Sequence, residues 1–156
     1  MATGKTFVPI TPGRVVAGMP ELVEIKEASE QTFDRGAPLV RTGGYAVEMG
    51  VNGVLLYGFA AEDGRSGAAD GTYSVGVYPA RFGRRFVGSL DATLTQAMIG
   101  SVANLVESAS TWYLATLTSL SSVAQVVIEG PAEGFVVGDT DPLVYFTLIQ
   151  SMVEES

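Results

Sequence analysis

The chain of 156 residues carries 9 Lys+Arg against 17 Asp+Glu, a net charge of −8, and contains neither His nor Cys. Its length suits a single domain, which buries about 68–70% of its unfolded surface, and the missing residue types exclude disulfides, thiolate metal sites, cysteine nucleophiles and the usual general base near neutral pH. Charged residues reach only 17%, below the roughly 25% of a typical soluble domain, so partner subunits are candidates to cover part of the surface.

The charge is unevenly placed. Residues 1–85 hold all 9 bases, balanced by 9 acids, whereas residues 86–156 hold 8 acids and no base. Nucleic-acid binding needs a basic face to neutralise phosphates and is not expected. No apolar run approaches the roughly 18 residues of a membrane-spanning helix. Residues 1–20 lack the basic-then-apolar order of a secretory signal, so the expected site of synthesis and use is the cytoplasm or something assembled there.

Residues 1–20 contain Pro9, Pro12 and Pro20, three glycines and no acid. The prolines remove backbone donors and fix φ, which favours an extended course over a helix. Phe7, Val8, Ile10, Val15 and Val16 would be wasted on a solvated tail, and Lys5 and Arg14 make the segment positive. It reads as an arm that lies along another chain, with residues 21–156 forming one domain.

From Glu21 onward short strands alternate with turns. Leu22–Glu27 alternates apolar and polar residues, as a half-buried strand does. Phe33–Val40 reads as a turn entering a strand, with Gly36 free to take a positive φ. Gly43-Gly44 and Gly50–Gly53 flank a strand at Tyr45–Met49. Val54–Ala60 is continuously apolar and reads as a buried strand. Ala61–Gly71, with four charged residues and three glycines, reads as a flexible surface loop. Thr72–Tyr78 alternates again, with Tyr73, Val75 and Val77 on one face, and Phe86–Leu90 is a brief strand.

Asp91–Met98 is the one helix expected, capped by Asp91 and with Leu94, Ala97 and Met98 on one face. Further strands are expected at Ser101–Val106, Thr111–Leu117, Ala124–Glu129 and Leu143–Ile149, with turns at Pro131, Gly134, Gly138 and Asp139–Pro142. Strands at such spacing with one short helix indicate a mainly β barrel or sandwich.

Few residues suggest chemistry. Gly64-Arg65-Ser66-Gly67 is not a nucleophile elbow, because glycine directly follows the serine and no His exists to activate it. Asp139 and Asp141 offer hard oxygens, but two carboxylates do not close a metal site. Glu62, Asp63 and Asp70 read as solvated loop acids. Gly4-Lys5-Thr6 is only the tail of a phosphate-binding loop. Glu129 and Glu133 are the carboxylates left for glycosidase chemistry, which needs two at a set separation. No cofactor is implied.

The densest signal is Arg81-Phe82-Gly83-Arg84-Arg85. Arginine and aromatic residues are enriched at protein interfaces, where guanidinium pairs with carboxylate in a fork. A negative protein surface suits this cluster, including the acidic half of a neighbouring copy.

Gln31–Val40, Leu55–Ala60, Tyr73–Tyr78, Phe86–Leu90, Trp112-Tyr113-Leu114 and Gly138–Phe146, in that order, resemble the capsid decoration (cement, or auxiliary head) proteins of tailed bacteriophages. The resemblance implies a compact β-tulip or β-barrel-like domain, with one short helix and an extended N-terminal arm over residues 1–20. It also implies a non-enzymatic role on the virion exterior, with assembly in the host cytoplasm. The implied partners are the major capsid protein and further copies of the chain in a homotrimer, with no nucleic acid and no membrane. The capsid-binding arm would use Lys5, Phe7, Val8, Ile10, Arg14 and Val15, and the subunit interface Arg81, Phe82, Arg84 and Arg85. A different class remains open: a β-sandwich carbohydrate- or receptor-binding module of a virion fibre or attachment protein, with Trp112, Tyr113, Tyr45 and Tyr57 stacking on sugars.

Overall fold

The computed structural model describes residues 14–15, 22–49, 56–81, 84–108, 111–116 and 125–149, with the backbone alone at residues 14, 15, 107, 108, 111, 116 and 125. Eleven strands are described: β1 (Arg14–Val15), β2 (Val23–Lys26), β3 (Pro38–Thr42), β4 (Tyr45–Glu48), β5 (Gly58–Ala60) and β6 (Ser74–Pro79) come first. They are followed by β7 (Arg85–Ser89), β8 (Val102–Ser108), β9 (Thr111–Thr116), β10 (Gln125–Pro131) and β11 (Leu143–Leu148). The strands form two antiparallel sheets, ordered β1-β7-β11-β10-β8-β9 and β2-β6-β5-β3-β4.

Both sheets curl until distant strands meet. In the six-stranded sheet Leu90, just after β7, forms a parallel bridge to Leu114 of β9, where the Asp91 N–H donates to the Leu114 carbonyl at 2.8 Å. In the five-stranded sheet Glu27, just after β2, bridges to Ala46 of β4. Curling hides strand edges that would otherwise template unwanted pairing. The result is the mainly β, barrel-like domain expected from the strand spacing.

One core serves both sheets. Phe33, Leu39, Phe59, Val75 and Val77 join Phe86, Leu90, Leu105, Leu114, Val126, Ile128 and Phe146 in a single buried cluster. Phe59 contacts Phe86 and Phe146 at ring-centroid distances of 4.8 and 6.2 Å, and the latter two rings stack at 5.8 Å. A second link is polar: Trp112 of β9 donates its indole N–H to the Glu48 carboxylate of β4 at 2.8 Å.

The alternation in β2 and β6 holds. Val23 and Ile25 are half-buried between exposed Glu24 and Lys26, and Val75 and Val77 are fully buried. Tyr73 departs from that face; it precedes the strand and is 40% exposed. The apolar run at Val54–Ala60 yields only β5 and the buried Leu56, with Val54 and Leu55 outside the described residues.

The helix expected at Asp91–Met98 does not form. Only Gln96–Met98 makes one 3₁₀ turn, and its capping residue is Thr95 rather than Asp91. Neighbouring chain takes the backbone groups a helix would use. Leu94 N–H donates to the Asp139 carbonyl, Gly138 N–H to that of Leu94, and Asp141 N–H to that of Ala92.

Gly58 is required for close packing: a Cβ there would lie 2.5 Å from both the Tyr78 carbonyl oxygen and a Val77 methyl carbon. Phe86→Ala should therefore destabilise by about 3–5 kcal/mol through the cavity it leaves. Gly58→Ala should cost about 1–3 kcal/mol through overpacking. Urea midpoints that fall with unchanged slopes would bear this out.

Candidate functional site

The Arg81–Arg85 turn joins β6 to β7. Arg84 N–H donates to the Arg81 carbonyl at 3.1 Å and closes it; Phe82 lies outside the described residues. Arg85 is engaged within its own sheet. Its guanidinium lies 5.4 Å from the Tyr145 ring centre and 3.9 Å from the Glu129 carboxylate, and Thr147 donates its hydroxyl to the same carboxylate at 3.3 Å. The pair is roughly half-exposed, so it adds only about 0–1 kcal/mol. Glu129 thus faces Arg85 and Thr147, and Glu133 sits on the following turn at a φ of 52°.

Of the residues expected in the N-terminal arm, Lys5, Phe7, Val8 and Ile10 lie outside the described residues. Arg14 and Val15 are extended, as expected, but the chain they pair with is their own: they stand opposite Val87 and Phe86 of β7. Adding a strand to an exposed sheet edge is the kind of docking expected of the arm; here, at these two positions, it happens within the chain.

The Ala61–Gly71 loop is anchored by carboxylates that accept backbone N–H groups, contrary to the flexible loop expected. Asp63 accepts from Arg35 at 2.7 Å, Asp70 from Ser29 at 2.8 Å and Glu62 from Gly76 at 3.3 Å. At the centre is Glu27, 1% exposed, whose two oxygens accept the Arg65 N–H at 3.0 and 3.2 Å. Gly64, Ser66 and Gly67 add backbone bonds to Phe33, Gln31 and Glu30. The Arg65 guanidinium reaches Glu62 at 3.9 Å and lies 5.9 Å from the Tyr73 ring centre. Ser66 takes a φ of 55° as part of this turn.

The sequence held a signal for Glu27. It is in phase with Val23 and Ile25, so the alternation that buries them also turns this acid inward. A buried carboxylate must find donors, and the loop supplies them.

Asp139 accepts the Val136 N–H at 2.9 Å, and Asp141 takes a φ of 51°. Among the described residues no group of three or more Asp or Glu could hold a metal ion. Trp112 and Tyr113 are 2% and 9% exposed, too buried to offer a stacking face. Tyr45 and Tyr57 are half-buried, and the Arg41 guanidinium sits 5.2 Å from the Tyr57 ring centre.

What sequence reasoning missed is the apolar tip between β10 and β11, where Val136 and Val137 are 59% and 41% exposed, and the exposed Leu22 before β2. No helix among the described residues is long and apolar enough to cross a membrane. No protein-family model matches the chain, and no curated protein matches it.

Glu27→Ala should cost about 2 kcal/mol, as expected for loss of a hydrogen-bonded buried carboxylate. It should also expose the backbone after Arg65 to trypsin, read as a new fragment boundary in limited digestion. Tyr113 supplies a pH test. Burial, followed by the Asp91 charge, raises its phenol above the ordinary 10.0. The folded chain therefore keeps this proton longer than the unfolded chain. The associated stability is complete below pH 10 and declines as pH rises through the folded value. Tyr113→Phe should flatten that alkaline decline in denaturation midpoints.

Proposed function

We propose that the protein is a capsid decoration protein of a tailed bacteriophage. In this reading it binds the outer surface of an assembled head and fastens neighbouring major capsid protein subunits, without catalysis. The observation that carries the reading is the order of motifs from Phe33 to Phe146. The motif residues fall on the strands and core positions that build both sheets: Phe33, Gly58–Ala60, Val75 and Val77, Phe86–Leu90, Trp112–Leu114 and Leu143–Phe146. The stacking alternative draws no support from Trp112 and Tyr113, which are buried.

The mechanism follows from the thermodynamics of linkage. A protein that binds the expanded shell better than its precursor shifts the shell toward the expanded state. Modest contacts suffice when many copies act on one lattice and when copies associate, as in a trimer. The acid-free segment supplies a cationic, apolar strap with Lys5, Phe7, Val8 and Ile10. Because Arg14 and Val15 pair with their own β7, residues 1–13 are the part left to engage the capsid protein. Arg81 and Arg84 lie on the β6–β7 turn, and in this reading that turn faces an acidic neighbour, with Arg85 held inside its own sheet by Tyr145 and Glu129.

Sedimentation with expanded heads that lack decoration tests this. The full chain should bind and delay thermal release of DNA, while a chain lacking residues 1–13 should bind at least about tenfold more weakly, the scale of avidity lost with one of two linked contacts. Undiminished binding by the shortened chain would remove the strap, and no binding by the full chain would overturn the reading.

A further inference from the structure

The β7–β11 pair carries surfaces of opposite character at its two ends. Thr147 stands opposite Arg85 at one end and Leu143 opposite Ser89 at the other, four strand steps or about 13 Å away. The β6–β7 turn enters at the Arg85 end. The β10–β11 turn, residues 132–142, enters at the Ser89 end.

The Ser89 end is apolar and acidic. Val136 and Val137 are exposed at its tip. Phe135 beside them packs on the buried Val87, Ala132 and Leu143, so the exposed pair extends an apolar cluster. The turn is held in shape. Leu94 N–H donates to the Asp139 carbonyl at 2.9 Å and Gly138 N–H to that of Leu94 at 2.8 Å, and Asp139 accepts the Val136 N–H through one carboxylate oxygen. Glu133, Asp139 and Asp141 share this turn, and Asp91 precedes Ala92, whose carbonyl takes the Asp141 N–H at 3.0 Å. No base follows Arg85 in the sequence.

The Arg85 end is cationic. Arg84 N–H donates to the Arg81 carbonyl across the turn. Ala80, directly before Arg81, donates its N–H to the Tyr57 carbonyl at 2.9 Å, and the exposed Arg41 lies over the Tyr57 ring at 5.2 Å from its centre. Three of the chain's nine bases therefore come from two adjoining stretches of backbone.

Covering the valines is favourable in proportion to the apolar area removed from water, and the acids around them select the cover. A nucleic acid or an anionic membrane would be repelled. A surface of arginines, whose stems are apolar beneath charged heads, beside an aromatic ring suits both features. This chain has such a surface, but at the far end of the same strand pair from its own tip. A second copy can bring the two together.

We propose that the Val136-Val137 turn of one copy docks on the Arg41, Arg81 and Arg84 surface of another, so that unlike ends of two copies meet. Each copy carries one surface of each kind, and the contact repeats until it closes on itself. This identifies the acidic neighbour of the shell-fastening reading; it rests on that reading for its use on a head, not for its formation in solution.

Sedimentation velocity on the full chain without heads tests the contact over about 1 μM to 1 mM, the range of weak to moderate affinities. The chain should assemble as its concentration rises, and about 1 M salt, which cuts the screening length to about 3 Å, should weaken assembly at least about tenfold. Val136→Ser with Val137→Ser disables the tip, and Arg81→Gln with Arg84→Gln the basic turn. Unchanged urea midpoints show that both still fold, and Arg41→Gln, at an exposed side chain, replaces the second variant if its midpoint falls. Each variant alone should associate at least about tenfold more weakly, the scale of losing an anchoring contact. Mixed, the two variants should form pairs that grow no further, because the intact tip of one meets the intact turn of the other. A monomer at every concentration, or assembly retained by both variants, overturns the contact. Loss in one variant with no recovery on mixing overturns it in favour of like ends meeting. A chain that assembles as expected yet ignores heads would refute the shell reading alone.

Discussion

Phe59 on one sheet meets Phe86 and Phe146 on the other, and the two curled sheets depend on this contact to share a core. A sheet of five or six short strands has one apolar face that must be buried against something. Here each sheet is the other's cover, so Leu39, Val75 and Val77 are as dry as Leu105, Leu114 and Val126. The Trp112–Glu48 hydrogen bond fixes the mutual placement that non-directional burial leaves open. Aromatic rings suit the junction because each buries a large area and adds a preferred geometry.

The polar counterpart is Glu27. Its carboxylate, buried at the end of β2, anchors the Ala61–Gly71 loop through Arg65, and Asp63 and Asp70 repeat the device at the rim. Acids that read as solvated charge are thus spent on backbone N–H groups. An anchored surface loses less conformational freedom on binding than a floppy one, so modest contacts count for more. That property would serve the shell-fastening role proposed above.

Much of the fold was legible. Alternation marks β2 and β6, and the closing aromatic stretch marks β11, because a sheet with one dry face imposes a period of two. The Asp91–Met98 helix was misread because its spacing satisfied a local rule while Asp139 and Gly138 competed for its backbone. Propensity over so few residues is a weak prior. The loop was misread because glycine and charge signal a turn without saying what the charges bind. Of the candidate site, the Arg81–Arg85 cluster was legible as a concentration of bases in a chain with few, but the engagement of Arg85 by Tyr145 and Glu129 needs the β7–β11 and β10–β11 pairings together, which no local pattern encodes. Val136 and Val137 look like strand residues in sequence; only the turn between Gly134 and Gly138 turns them outward.

The shell-fastening proposal joins these features: a welded β body, anchored loops and a leading segment that starts at a sheet edge. Electron cryo-microscopy of undecorated, expanded heads incubated with the full chain tests it most directly. The account predicts density for the β body at regular positions on the outer surface, with its leading segment running onto adjacent capsid subunits. Heads that remain bare at saturating protein would contradict it.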